Sequence, residues 1–284
     1  MRTSLLVASA LMLAFAAFIA FAPLPHQPRF QSQEQQNRYV VERYVATASK
    51  VPVVYVGSSM TARLAEADPS SCGYDLALHG ESSLTGLSVA ALESEHPRRV
   101  FVEINVPERR ANVDLLRKSE RNPIRNLSVF ATRNMPVNLL LGYLSQFRQA
   151  NPADIDEAAL TAGLATQRDV YHKPVDAALL AENLAFVKSR VEALEAKGTS
   201  VVFFELPVHP ELIDMPRARQ IREAFATAFP HHRIVAPSEL AGGLAVRTTD
   251  GVHLAAGEAE IVAARLHALH RGDCPGGAAA RPLH

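Results

Sequence analysis

The sequence predicts an α/β fold: an open, doubly wound parallel sheet of five strands in a three-layer α/β/α arrangement. Three observations predict it. Five short apolar runs rich in β-branched or aromatic residues are spread along the chain. Between them lie stretches with apolar residues at three and four spacing, the period of a helix with one buried face. Each run stops at or just before a Gly or a Pro. Strands alternating with helices imply parallel pairing, and strands that are apolar almost throughout imply a sheet covered on both faces.

The elements follow in chain order. Met1, Arg2 and Thr3 make a short basic start, and Ser4 to Ala22 then runs without a charge, close to the roughly 20 residues that span a bilayer. A secretory signal has a shorter apolar region of about 7 to 15 residues. Pro23 also sits badly behind the small-residue signal Ala20-Phe21-Ala22, so residues 1–22 are expected to be an uncleaved anchor, with cleavage and secretion as the alternative. Residues 23–49 read as a Pro- and Gln-rich tether and a leading helix over 34–49. The strands are expected at 51–56, 74–78, 98–105, 199–206 and 232–235, and the clearest helices at 84–95, 177–197, 216–229 and 255–270. Residues 107–174 interrupt this rhythm. They carry Arg109, Arg110, Arg117, Arg121, Arg125 and Arg133 and an apolar stretch from Val137 to Phe147. They read as a helical insertion at the strand ends, a common place for a lid or a partner surface, although the arginines themselves are better read as a solvated face. One domain over 50–271 is expected, with 272–284 a disordered tail.

Composition removes several classes of function. Lys plus Arg equals Asp plus Glu at 29 each, so no net field favours nucleic acid. The two cysteines, Cys72 and Cys274, would clip the tail to the domain in an oxidising compartment, or be two unrelated thiols in a reducing one. No cysteine pair has zinc-type spacing, and His231 and His232 are adjacent rather than on one helical face. No metal and no cofactor are expected.

In an open parallel sheet the site lies beyond the carboxyl ends of the strands. Val56-Gly57-Ser58-Ser59-Met60 puts a hydroxyl at the end of the first strand, at the start of the next helix, where free backbone N–H groups favour developing negative charge. Alone, these are ordinary turn and N-cap residues. Thr248-Thr249-Asp250-Gly251-Val252-His253 precedes the last helix. An Asp three residues before a His can bind the imidazole Nδ1 and leave Nε2 to take a proton from a serine.

Taken together and in order, these blocks resemble the SGNH, or GDSL-type, hydrolase superfamily. Gly57-Ser58-Ser59-Met60 matches the first block with Ser59 at the nucleophile position. Gly80 in Leu78-His79-Gly80-Glu81 matches the second, Asn105 in Glu103-Ile104-Asn105-Val106 the third, and Asp250 with His253 the last. Ser58, Glu103 and Val106 stand where the family pattern has Asp, Gly and Asp. The resemblance implies a flavodoxin-like sheet and acyl transfer through an acyl-serine intermediate. Ser59, Asp250 and His253 would be catalytic, and the Ser59 and Gly80 N–H groups with the Asn105 amide would form the oxyanion hole. Ser58, Glu103 and His209 are candidate substrate contacts.

The expected function is therefore a serine-dependent ester hydrolase or O-acyltransferase. With the apparent export, its substrate would be an acylated carbohydrate of the envelope or an exopolysaccharide, or another small ester, and the protein would face the periplasm from the inner membrane. Two other readings remain: a non-catalytic glycan- or partner-binding module on the same scaffold, and a lipid-directed esterase suggested by the apolar 137–147 stretch.

Overall fold

In the computed structural model, residues 2–21, 29–47, 51–67, 73–92, 96–119, 131–146 and 155–273 are described. A Cys72–Cys274 clip, the arginines at 121 and 125 and residues 274–284 of the expected disordered tail lie outside them, whereas residues 272 and 273 of that tail fall in a 3-10 turn over Arg271–Asp273.

Five strands form one all-parallel sheet: β1 (Val53–Gly57), β2 (Gly73–Ala77), β3 (Arg99–Glu103), β4 (Ser200–Phe204) and β5 (Ile234–Val235), in the order β2-β1-β3-β4-β5. The two-residue period of a strand divides their side chains between two cores. Val54, Val56, Leu76, Val100, Val102, Val201 and Phe203 face one way, and Val53, Tyr55, Phe101, Val202, Phe204 and Val235 the other. On the first face lie α2 (Gln33–Thr47), α4 (Ser83–Leu92) and α8 (Ala177–Glu195), with Ile221 and Phe225 of α9 (Pro216–Ala228). On the second lie α3 (Ser59–Ala67), α7 (Glu157–His172), α10 (Pro237–Ala241) and α11 (Ala256–Ala268). Helices thus cover both faces, which is why the strands are apolar on both.

β5 is shorter than the apolar run that announced it. His232 N–H donates back to the carbonyl of Phe229 in a turn, and pairing with β4 begins only where Phe203 N–H reaches the carbonyl of Arg233. Residues 107–174 contribute α5 (Val113–Ser119), a single 3-10 turn at Thr132–Asn134, α6 (Pro136–Gln146) and α7, and no strand among the described residues. Glu42 of α2 accepts both the N–H (2.9 Å) and the hydroxyl (2.9 Å) of Thr132, which ties this segment to the leading helix.

The N-terminal helix α1 (Arg2–Phe21) is long and apolar enough to cross a membrane, with a mean hydropathy of 2.4 over Thr3–Phe21. Ile19 is its one buried side chain among the described residues.

Candidate active site

β1 runs straight into α3, so Ser58 caps the helix and Ser59 is its first residue. The Ser58 carbonyl accepts the Ala62 N–H (3.1 Å), and the Ser58 hydroxyl accepts the Met60 N–H (3.1 Å). The first N–H groups of a helix have no acceptor within it, so the Ser59 amide stands at a positive helix end. Next door, the Leu78 N–H still pairs with the Gly57 carbonyl at 2.9 Å. The chain beyond β2 then turns at Gly80 through a left-handed φ of 72°, which costs a glycine little.

The residues expected near the C-terminus meet this serine. Ser59 Oγ is 2.8 Å from His253 Nε2, and His253 Nδ1 is 2.6 Å from Asp250 Oδ2. An ionised carboxylate only accepts hydrogen bonds, so Nδ1 carries the proton in this pair and Nε2 is left to accept from the serine hydroxyl. The other oxygen, Asp250 Oδ1, accepts the backbone N–H groups of His253 (2.8 Å) and Val252 (3.1 Å). Partial burial opposes the charge on Asp250, but the His253 ring and these two amides outweigh it and lower the carboxyl to about 2. The loop is closed by the Thr249 N–H on the His253 carbonyl and the Ala255 N–H on the Arg247 carbonyl. The His253 ring is 25 % exposed and the Asp250 side chain 36 %, so the row is open to solvent on one side.

The other expected residues are placed differently from one another. Ser58 and Glu103, read as substrate contacts, are both 2 % exposed and bond each other, so the structure turns them inward and corrects that reading. Glu103 accepts the Ser58 N–H (2.8 Å), the Ser58 hydroxyl (2.8 Å) and the Thr61 hydroxyl (2.6 Å). Burial pushes the Glu103 carboxyl above its ordinary range, against the pull of the Thr61 and Ser58 hydrogen bonds. Asn105 is 8 % exposed, and its amide clasps the backbone of Leu206. Nδ2 donates to the Leu206 carbonyl (2.9 Å), and Oδ1 accepts the Leu206 N–H (2.8 Å). One amide hydrogen is left over, and an oxyanion role rests on that one. The His209 N–H donates to the Gly251 carbonyl (2.8 Å), so the loop after β4 is tied to the Asp250–His253 loop.

Three features of the site escaped the sequence reading. Thr61 shares the Glu103 carboxylate. Gly163 of α7 lies so close to Asp250 that a Cβ there would come within 2.9 Å of its Cα, Cβ and carbonyl oxygen. Arg109, read as part of a solvated basic face, donates from Nη1 to the Gly80 carbonyl at 2.6 Å. Beside Gly80, a cavity of about 360 Å³ opens between α2, the 79–81 turn and the start of α5, with Gln33, Asn37, Glu81, Asn112 and Asp114 in its lining. Among the described residues no group of three or more His, Cys, Asp or Glu side chains is gathered as a metal ion would require.

No protein-family model, no curated protein and no solved structure matches this chain.

Proposed function

We propose that the chain is an SGNH-type enzyme on a flavodoxin-like, three-layer sheet, a serine-dependent ester hydrolase or O-acyltransferase that works through an acyl-serine. The observation that carries this reading is the row Ser59 Oγ, His253 Nε2, His253 Nδ1, Asp250 Oδ2, with both contacts at hydrogen-bond length. As Ser59 Oγ attacks an ester carbonyl, its proton passes to His253 Nε2, and Asp250 supports the imidazolium that forms. The tetrahedral oxyanion is met by the Ser59 N–H at the helix start, the Gly80 N–H and the remaining Asn105 amide hydrogen. Collapse expels the alcohol, which takes the proton from His253. Water then releases the acid, or a second hydroxyl takes the acyl group. Loss of one oxyanion donor slows such a reaction by about 100- to 1000-fold.

O-acetyl groups on envelope or exopolysaccharide glycans are the proposed substrate class, handled on the periplasmic side of the inner membrane. The cavity beside Gly80 is lined by amides and carboxylates, groups that bind hydroxyls, although Ser59, His253 and Asp250 are not among its lining residues.

A fluorophosphonate probe tests the nucleophile directly. Ser59 Oγ bonds to phosphorus, fluoride leaves and His253 takes the proton. Wild-type protein is expected to label on one site, and Ser59→Ala and His253→Ala are expected not to. Absence of labelling in folded wild-type protein, together with no turnover of a small acetyl ester, would move the reading to a glycan- or partner-binding module.

A further inference from the structure

We propose that Glu103 is the positioning residue of the nucleophile: its buried carboxylate fastens the Ser58 turn and the first turn of α3 so that Ser59 Oγ stays against His253, and position 58 can host the same carboxylate. This rests on the reading of Ser59 as nucleophile.

Three donors converge on one carboxylate from both sides of Ser59. Before it, Ser58 gives its N–H to Oε2 at 2.8 Å and its hydroxyl to Oε1 at 2.8 Å and Oε2 at 3.1 Å. After it, Thr61 gives its hydroxyl to Oε2 at 2.6 Å. Ser58, Thr61 and Glu103 are all at most 2 % exposed, so water does not compete for these bonds. A buried donor or acceptor left without its partner costs the desolvation of that group, so each of these bonds resists being broken. The Ser58 hydroxyl also accepts the Met60 N–H, which continues the tie into the helix backbone. The backbone on both sides of Ser59 therefore cannot shift without breaking at least one of these bonds. Gly57 makes room for the bracket, because a Cβ there would overlap the Thr61 hydroxyl and stand 2.6 Å from Glu103 Oε2.

The Ser58 hydroxyl touches the Glu103 head, so an aspartate at position 58 would bring its carboxyl to the edge of that space if Glu103 were cut back to alanine. From there it would reach the Met60 N–H and the Thr61 hydroxyl. The two positions are thus alternative hosts of one buried acceptor, one at the end of β3 and the other in the turn just beyond the neighbouring β1.

The experiment uses the full chain in detergent and measures fluorophosphonate labelling rates against probe concentration. Glu103→Ala is expected to lower the maximal rate constant about 100-fold, the size of effect a displaced reacting group produces, with the half-saturating probe concentration unchanged. Glu103→Gln keeps one acceptor oxygen for the Ser58 N–H and Thr61, and falls only about 10-fold. The Ser58→Asp, Glu103→Ala double variant recovers to within about 10-fold of wild type. General loosening would instead reduce the labelled fraction and spare the rate constant of the folded remainder. A wild-type maximal rate in Glu103→Ala overturns the proposal, and so does a folded double variant as slow as Glu103→Ala. If Glu103→Ala does not fold, Thr61→Val removes the 2.6 Å bond at constant shape and should slow labelling about 10-fold; an unchanged rate overturns the proposal. If wild type does not label at all, the nucleophile reading fails separately, and amide exchange at Ser58 to Ala62 decides the bracket. Faster exchange in Glu103→Gln supports it, and unchanged exchange overturns it.

Discussion

Two acids bond the neighbours of Ser59, Asp250 through His253 and Glu103 through Ser58 and Thr61, and their surroundings push them in opposite directions. Asp250 feels partial burial, but the His253 ring and two backbone amides outweigh it and hold the acid near 2. Glu103 is raised, because burial outweighs its neutral donors. For Asp250 the sign is that of a depressed acid: the bond network contributes above the ordinary carboxylate range and is lost as pH falls toward 2. Its side chain is more than a third exposed, so solvent screens it and the effect on overall stability is small. The expected outcome is that Asp250→Asn keeps the melting temperature within a few degrees and lowers the labelling rate by on the order of 10⁴-fold, since an amide no longer selects the tautomer with Nε2 free. Labelling kinetics beside a thermal melt check this, and a rate within tenfold of wild type would remove Asp250 from the proposed machinery. That Ser59, Asp250 and His253 should meet was legible from their blocks taken together and in order, since each block alone is an ordinary turn. The Glu103 bracket was not. Its partners are 45 and 42 residues away in sequence, and a Glu at a strand end reads first as a surface or substrate-facing group.

Among the elements, α7 carries the site in a way that its own pattern does not announce. Its Leu164 and Tyr171 join the apolar cluster on the second face of the sheet, and Gly163, next to Leu164, lets the helix backbone close on Asp250. Alanine at 163 would set a methyl 2.9 Å from three atoms of Asp250, two of them backbone. Either the helix or the loop must then give way. Gly163→Ala is expected to slow labelling by about 10- to 100-fold, because a shift on the order of 1 Å at the acid displaces His253. Gly257 in α11 is the matched control. A Cβ there meets nothing within 4 Å, so Gly257→Ala should leave the rate unchanged and stabilise the fold by about 0.5 to 1 kcal/mol. Equal rates for the two variants would separate α7 from the chemistry. The five strands were legible to within two residues because Gly or Pro stops each apolar run. The placement of α7 was not, because helical periodicity gives the apolar face and leaves open which loop that face meets.

At the scale of the whole molecule, the question is how far the apolar helix α1 depends on the rest of the chain. Its Thr3–Phe21 stretch is 6 % buried, and Ile19 is its buried side chain among the described residues. The domain's cores are complete without it, since both apolar clusters are drawn from residues 41–266. Burying about 20 apolar residues in a bilayer is strongly favourable, whereas losing one partly docked side chain costs the domain little. Deleting residues 2–21 should therefore move the protein from the membrane pellet to the supernatant after alkaline carbonate extraction, with the fluorophosphonate labelling rate within about twofold of the full chain, a barrier change below RT. Intact mass of the membrane fraction separates an anchor from a signal: 30.8 kDa for the whole chain, or a smaller species starting beyond Ala22 if the segment is removed. A truncated protein that stays in the pellet would point to a second membrane contact, with the exposed Val137, Leu140 and Leu144 of α6 the first residues to change to serine. A truncated protein that extracts cleanly but labels slowly would mean that α1 supports the domain as well as tethering it, and Ile19→Ser in the full chain would then reproduce that loss.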